Sequence, residues 1–141
     1  MKTIGKLLLM FLLITGISGC EKQNTGSSLA GTVWVFGSPG DYLMFVSAED
    51  CFFATYNSEY VHYKYFERNS VVYMTLYDTK NTLGGIKVSQ SYTGTISSPD
   101  GLPRMSVIDS EKGTNAEFFP LLEWEHFIDI RSLFEELQSQ I

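Results

Sequence analysis

The sequence predicts an all-β domain that ends in an α-helix. Between residues 32 and 119, apolar and polar side chains alternate in short runs, a period of two that is typical of strands. Turn-forming residues separate these runs at short intervals, which favours an antiparallel barrel or a sandwich. From residue 128 the apolar spacing becomes helical. We therefore expect an up-and-down barrel of eight or nine strands with a C-terminal helix, and a β-sandwich is the alternative.

Nine strands are predicted from the alternating runs. The first carries Trp34, and the fourth places Tyr63 and Tyr65 on one face and His62 and Lys64 on the other. Gly, Pro, Asn, Asp and Ser fill the intervening turns, where their backbone preferences suit tight reversals. The predicted strands cover residues 32–36, 42–47, 51–56, 60–68, 71–77, 86–91, 92–97, 105–108 and 116–119, with a polar loop at 78–85.

The C-terminal segment has the pattern of an amphipathic helix. Apolar residues recur at positions 130, 133, 134, 137 and 141, which lie on one helical face. Asp129 is predicted to cap the helix, because its carboxylate can accept hydrogen bonds from free N–H groups of the first turn. We expect the apolar face to pack against the sheet, and a partner-binding helix is the alternative.

The first 28 residues differ in character from the rest of the chain. Lys2 and Lys6 precede an apolar run at 7–14, and small residues follow, as in a secretory signal peptide. The run is well short of the ~20 residues that a membrane-spanning helix needs. We therefore predict a cleaved signal peptide at 1–19, a flexible polar tether at 20–28 and one folded domain at 29–141.

The segment Ile17-Ser18-Gly19-Cys20 resembles the bacterial lipobox. This resemblance implies that Cys20 receives a diacylglyceryl group and becomes the first residue of the mature chain. Two acyl chains hold a protein stably on a membrane, whereas one chain holds it only marginally. Residue 21 is Glu and not the Asp that signals inner-membrane retention in some bacteria. The expected location is the cell envelope, at the periplasmic or outer face of the outer membrane.

Charge and cysteine content narrow the possible partners. The chain has 10 Lys and Arg against 16 Asp and Glu; without Lys2 and Lys6 the balance is 8 against 16, a net charge of −8. An acidic domain without a basic cluster argues against nucleic-acid binding. Once Cys20 is acylated, Cys51 has no partner in the chain, and its apolar neighbours predict a buried thiol. We expect a monomer.

Motifs for catalysis and metal binding are missing from the sequence. There is no Gly-x-Ser-x-Gly, no phosphate-binding loop and no His-Glu-x-x-His. His62 and His126 are the only histidines, and neither has carboxylates or cysteines at metal-ligand spacing. We expect His62 to be solvated beside Lys64. The sequence therefore predicts no enzymatic activity, no bound metal and no cofactor.

The opening of the domain at residues 29–34, Leu-Ala-Gly-Thr-Val-Trp, resembles that of lipocalin-like small bacterial lipoproteins. Those proteins carry a Gly and a Trp at the floor of an up-and-down barrel. Two residues separate Gly31 from Trp34 here, where the lipocalin signature has one, which favours a looser calycin-like barrel. The resemblance implies that Trp34 plugs one barrel end, that Arg104 stacks on it, and that the barrel binds a small apolar or amphipathic molecule.

Aromatic side chains supply further candidate binding residues. Tyrosine combines a large apolar ring with a hydroxyl that needs a partner, so inward-facing tyrosines can line a ligand cavity. The candidates are Trp34, Tyr63, Tyr65 and Tyr73, together with Arg104, and the alternative is that these residues form core. The leading hypothesis is a lipid-anchored envelope protein that binds a small molecule. The alternative is a protein-interaction lipoprotein, either an accessory subunit or an inhibitor in an envelope complex.

Overall fold

The computed structural model describes residues 29–37 and 40–141. These residues form a closed antiparallel barrel of eight strands, followed by a C-terminal α-helix. The predicted fold class is confirmed, and the chain forms a barrel and not the alternative sandwich. The predicted signal peptide, Cys20 and the tether lie outside the described residues, as do Ser38 and Pro39 of the first predicted turn.

The strands of the barrel follow one another around the wall in chain order. Their bounds are β1 Thr32–Phe36, β2 Asp41–Phe45, β3 Asp50–Thr55, β4 Tyr60–Arg68, β5 Val71–Leu76, β8 Ser91–Ser97, β9 Arg104–Asp109 and β10 Asn115–Pro120. Two short strands, β6 Thr82–Leu83 and β7 Ile86–Lys87, form a separate hairpin between β5 and β8. Pairing of β10 with β1 closes the barrel, which leaves none of its eight strands as an open edge.

Connections alternate between the two ends of the barrel because neighbouring strands are antiparallel. We define the base as the end where Leu29 leads into β1. The base also carries the connections at 46–49, 69–70 and 98–103. We define the mouth as the opposite end, where β1 ends and β2 begins, and which carries the connections at 56–59, 77–90 and 110–114.

Alternation along each strand separates an interior face from an outer wall. In β4, Tyr63 and Tyr65 point into the barrel and His62 and Lys64 point outward, as predicted. Burial of large apolar side chains supplies about 25 cal/mol per Å² removed from water, so the packed interior stabilises the fold. The buried interior includes Leu29, Trp34, Leu43, Phe45, Cys51, Val61, Val72, Met74 and Met105.

The helix α1, Ile128–Gln138, covers part of the outer wall. Its apolar face buries Leu133, Phe134 and Leu137 against outward-facing residues of β1, β2 and β3, so the predicted packing on the sheet is confirmed. The predicted cap is wrong. Phe127 occupies the N-cap position with no side-chain cap, and Asp129 lies in the first turn. No helix among the described residues is long and apolar enough to cross a membrane.

The hairpin of β6 and β7 replaces most of the predicted strand at 86–91. Gly84 and Gly85 have positive φ angles of 60° and 81°, which suit a two-residue hairpin turn and are readily adopted by glycine. The chain therefore reverses inside the predicted polar loop; Ile86 and Lys87 pair within this hairpin, and Ser91 is the first residue of β8. This hairpin lies at the mouth of the barrel.

Candidate functional site

A cavity of about 570 Å³ opens at the mouth of the barrel. Small-molecule sites in proteins have volumes of roughly 300–1,000 Å³ and mostly apolar walls, so this cavity has ordinary dimensions for such a site. The interior toward the base is packed with buried side chains, and the cavity occupies the interior toward the mouth. Its apolar wall includes Phe36, Tyr42, Phe53, Tyr92, Val107 and Phe118.

Tyr63 lies directly behind two aromatic residues of this wall. Its ring packs edge-on against Phe53, at 5.1 Å between centroids, and against Tyr92, at 5.7 Å. The Tyr63 hydroxyl donates a hydrogen bond of 2.6 Å to the carbonyl oxygen of Ser89. Burial raises the pKa of Tyr63 well above its usual range, so the hydroxyl remains a donor. These contacts hold the wall aromatics in place from below.

Charged and polar side chains surround the cavity at its rim. A hydrogen bond links two of the mouth connections, because Glu59 Oε1 accepts from the Gly84 backbone N–H at 2.7 Å. This bond joins the connection between β3 and β4 to the β6–β7 hairpin. The polar residues of the rim include Asp41, Asn57, Glu59, Lys87, Asp109 and Lys112.

Asp109 organises the connection between β9 and β10. Its carboxylate accepts hydrogen bonds from Ser89 Oγ at 2.6 Å and from the backbone N–H groups of Glu111 and Lys112 at 2.8 and 3.0 Å. Desolvation opposes the charged form, but these bonds and the nearby Lys112 ammonium lower the pKa of Asp109. Asp109 is therefore a carboxylate at neutral pH, and its hydrogen bonds fix the loop that carries Lys112.

The β6–β7 hairpin forms part of the cavity wall. Leu83 and Val88 pack against the buried interior, whereas Ile86 is 69% exposed. With the hairpin and the rim in place, the cavity is lined by aromatic side chains at its bottom and by charged side chains at its opening. Such a surface can hold an apolar group inside the cavity while a polar group stays at the water interface.

Three of the predicted binding residues are core residues. Trp34 and Tyr65 are 5% and 4% exposed, Tyr63 is fully buried, and the described cavity wall includes none of them. Trp34 Nε1 donates to Thr32 Oγ1 at 3.1 Å, and the Tyr65 hydroxyl donates to the Ser47 carbonyl at 2.7 Å. Trp34, Tyr63 and Tyr65 therefore form part of the core, which was the alternative to a role in the cavity.

Tyr73 points away from the barrel interior, so its prediction as a cavity residue is wrong. Its neighbours Val72 and Met74 are buried in the interior, and successive residues of a strand face opposite sides. Tyr73 is 39% exposed and stacks on Phe66 of β4, with 5.0 Å between the ring centroids.

Arg104 also lies on the outer wall, so the predicted stacking on Trp34 is wrong. Because Met105 is buried in the interior, the preceding side chain must point outward. Arg104 Nη2 lies 3.0 Å from an Asp100 carboxylate oxygen, and the guanidinium lies over the Phe119 ring at 5.7 Å. Trp34 is inside the barrel, on the other side of the wall.

The wall residues Phe53, Tyr92 and Phe118 were not among the predicted binding residues. They lie on β3, β8 and β10, and all three line the cavity. Alternation could have placed them on the interior face. Alternation does not predict which end of the interior remains unfilled, because the position of the cavity depends on how side chains from several strands pack together.

A polar cluster on the outer wall corrects the prediction that His62 is solvated. The His62 side chain is only 15% exposed, its Nε2 lies 2.7 Å from Asp50 Oδ1, and its ring stacks on Phe52 at 4.4 Å. Lys64 Nζ lies 2.8 Å from the same carboxylate oxygen. Among residues 29–37 and 40–141, no group of three or more His, Cys, Asp or Glu is placed to hold a metal ion.

Comparisons of the chain with protein-family models, with curated proteins and with solved structures found no match. The functional proposal therefore rests on the sequence and on the geometry of the barrel. The most informative geometric feature is the cavity at the mouth, since it combines an aromatic wall, a charged rim and a volume suited to a small molecule.

Proposed function

We propose that this chain is a lipid-anchored protein of the bacterial cell envelope that binds a small apolar or amphipathic molecule in its barrel. The observation that carries the binding part is the cavity of about 570 Å³ at the mouth. Transfer of an apolar ligand surface from water into such a wall is favourable by about 25 cal/mol per Å². The aromatic side chains of the wall would pack against the apolar part of the ligand, and the rim would provide hydrogen-bonding and charged partners for its polar part.

The geometry favours an amphipathic ligand over a wholly apolar one. A closed cavity would suit a ligand that leaves water completely, whereas this cavity opens at the rim beside Lys87, Lys112 and Glu59. A ligand with an apolar tail would bury the tail against Phe53 and Tyr92 and leave its polar end among the charged side chains. This arrangement avoids burying a polar group without a hydrogen-bond partner.

The anchor is proposed from the sequence, at Cys20. Support comes from the lipobox-like Ile17-Ser18-Gly19-Cys20 and from the signal-peptide pattern before it. In a bacterium that processes lipoproteins, we expect the chain to incorporate an alkyne-labelled fatty acid and to fractionate with the outer membrane. Cys20→Ala should lose both properties, and Cys51→Ser should keep them. Membrane fractionation and labelling of Cys20→Ala at the wild-type level would contradict the proposal.

A pair of matched tyrosine variants tests ligand binding. The probe is 11-(dansylamino)undecanoic acid, a fluorescent amphiphile, titrated into the chain from residue 20 onward with Cys20→Ser to remove the lipid. Tyr92→Ala removes a wall ring and should weaken probe binding about tenfold, since one aromatic contact contributes ~1 kcal/mol or more. Tyr73→Ala removes an exposed ring from the neighbouring strand and should change the Kd less than twofold.

The complementary variant fills the cavity. Ala116 lies on β10, packs against the buried interior and lines the cavity wall. Ala116→Trp should abolish saturable probe binding, and far-UV circular dichroism should still report the strands. The binding proposal would be contradicted if the wild-type chain showed no saturable binding, or if Ala116→Trp bound the probe as tightly as wild type.

A second candidate function, protein recognition, is favoured by the outer wall. Phe66 and Tyr73 are 51% and 39% exposed, and the ladder continues across Thr93 to Ile108, which is 40% exposed. Exposed apolar rows of this kind mark interaction surfaces in many proteins. Phe66→Ser with Tyr73→Ser should abolish capture of an envelope partner, and Tyr92→Ala should leave it intact. Equal loss in both variants would contradict recognition by this wall.

A further inference from the structure

We infer that the base of the barrel is a membrane-docking surface, which rests on the bilayer that holds the Cys20 lipid and directs the mouth away from it. This inference depends on the proposed anchor. It starts from four exposed apolar side chains at this end of the barrel, in the 98–103 connection, in the connection between β10 and α1, and at the first residue of α1. We define them as the base patch. The base patch consists of Leu102, Leu122, Phe127 and Ile128, with exposed fractions of 64%, 77%, 50% and 65%.

The part of the base patch between β10 and α1 is held in a fixed position. The Leu121 backbone N–H donates to the Val33 carbonyl at 2.8 Å, and Trp124 Nε1 donates to the Gly31 carbonyl at 3.0 Å. The Trp124 ring also packs on Phe134 of α1, with 4.3 Å between centroids. These bonds place the connection beside the first residues of the barrel.

The length of the preceding segment argues for the bilayer as the occupant of this surface. Eight residues, 21–28, separate Cys20 from Leu29, and fully extended they reach at most about 30 Å. Leu29 is 4% exposed and belongs to the buried interior, so the base cannot swing away from the end of the tether. A lipid at Cys20 therefore keeps the base patch close to the membrane, at a high effective concentration.

The charges around the base patch define the kind of lipid surface that fits. Glu123 is 78% exposed, and together with Glu125 and Asp129 it outnumbers Arg131, whose guanidinium donates to the Glu125 carbonyl oxygen at 3.2 Å. The segment therefore carries a net negative charge that would repel an anionic headgroup layer. Docking must therefore come from insertion of Leu, Phe and Ile side chains between uncharged headgroups, as in interfacial anchors that bury apolar area. A zwitterionic surface of phosphatidylcholine or phosphatidylethanolamine meets this requirement.

Docking at the base has a consequence for the cavity. The mouth is at the opposite end of every barrel strand, so its rim would face the aqueous space or an opposing partner. A ligand would then exchange through water or from another protein, and not directly from the bilayer that holds the anchor.

The test compares two similarly exposed positions at opposite ends of the barrel. Leu122→Cys introduces a thiol in the base patch, and Ile86→Cys introduces one at the mouth, where the native side chains are 77% and 69% exposed. Cys51 is fully buried and Cys20 is acylated under the proposed function, so a thiol-reactive nitrobenzoxadiazole dye should label only the new site. The full mature lipoprotein is reconstituted in phosphatidylcholine vesicles.

Quenching then reports the orientation. With a nitroxide-headgroup lipid we expect at least threefold stronger quenching of the dye at position 122 than at position 86. With aqueous iodide we expect stronger quenching of the dye at position 86. Replacing the phosphatidylcholine with phosphatidylglycerol at low salt should reduce the lipid quenching at position 122. Phe127→Glu with Ile128→Glu should also expose that dye to iodide, while the protein still floats with the vesicles.

Three contradicting outcomes are distinguishable. Equal iodide quenching at both positions, in protein that floats with the vesicles, would overturn docking and leave the anchor standing. Stronger lipid quenching at position 86 would overturn the stated orientation. Protein that fails to float with the vesicles would contradict the anchor itself, and the docking inference would fall with it.

Discussion

On the outer wall of the barrel, His62 Nε2 lies 2.7 Å from Asp50 Oδ1. The Asp50 side chain is only 7% exposed, and it also accepts hydrogen bonds from Ser47 Oγ and from the Lys64 ammonium, each at 2.8 Å. Loss of water around a carboxylate is costly unless hydrogen bonds and opposite charge replace it. Here three side chains from the β2–β3 connection and β4 perform that role.

Removal of the charge at Asp50 should destabilise the barrel. Asp50→Asn replaces one acceptor oxygen with a donor facing Lys64 and His62, and leaving buried polar groups mispaired costs about 1–3 kcal/mol. We expect urea unfolding to show a loss of that size. The control is Glu49→Gln, which removes an exposed carboxylate 3.5 Å from the same ammonium and should change stability by less than about 0.5 kcal/mol. Equal effects of the two variants would contradict the account.

The same cluster predicts a loss of stability in acid. Desolvation raises the pKa of Asp50, but hydrogen bonds from Lys64, Ser47 and His62 outweigh it, and the pKa lies below its usual value of 3.8. The stabilisation is therefore present above the unfolded pKa and is lost as pH falls through the folded one. We expect the free energy of unfolding to decrease below about pH 4, and to decrease less steeply in Asp50→Asn. An identical slope in that variant would contradict a role for Asp50.

Cys51 should be unreactive in the folded protein. The side chain is fully buried in the barrel interior, and burial raises the pKa of the thiol well above its usual range. Because the thiolate is the reactive species, dithionitrobenzoate should react only as the chain unfolds. The measurement uses the Cys20→Ser chain from residue 20 onward, with and without urea. Rapid stoichiometric reaction without urea would contradict the buried placement.

The contact between α1 and the outer wall predicts that truncation of one buried leucine will strongly destabilise the protein. Leu137 is fully buried against the outer wall, and Leu137→Ala should reduce stability by about 2–5 kcal/mol, as in other buried leucine truncations. Leu122→Ala removes the same atoms from a side chain that is 77% exposed and should change stability by less than about 0.5 kcal/mol. Thermal unfolding of both variants provides the comparison. A similar shift in melting temperature for the two would show that α1 does not stabilise the barrel.

The barrel was predictable because its strands have a period of two and short turns. The bounds of β1 and β4 and the opposite faces of Tyr63 and His62 follow directly from this alternation. The helix was equally accessible, since its buried Leu133 and Phe134 recur at helical spacing. These features depend on residues that are close together in the chain, so they can be predicted from the sequence.

The cavity was less predictable because its residues depend on contacts between distant parts of the chain. The aromatic type of Tyr73 suggests a cavity residue, whereas its position between the buried Val72 and Met74 directs it to the outer wall. The environment of His62 could not be anticipated, since its partner Asp50 lies on another strand and meets it only through the β3–β4 register. The prediction that Asp129 caps the helix was wrong for a similar reason. The helix begins at Ile128 because of contacts made by the preceding connection, and these join residues that are distant in the sequence.

The proposed function requires the barrel to carry a small molecule in its mouth cavity. The most direct measurement is native mass spectrometry of the mature protein, purified without denaturant from the cells that produce it. We predict an extra noncovalent mass that disappears on denaturation and is missing from the Ala116→Trp variant. A wild-type protein that shows only its own lipidated mass, under conditions that preserve a known weak complex, would contradict the claim.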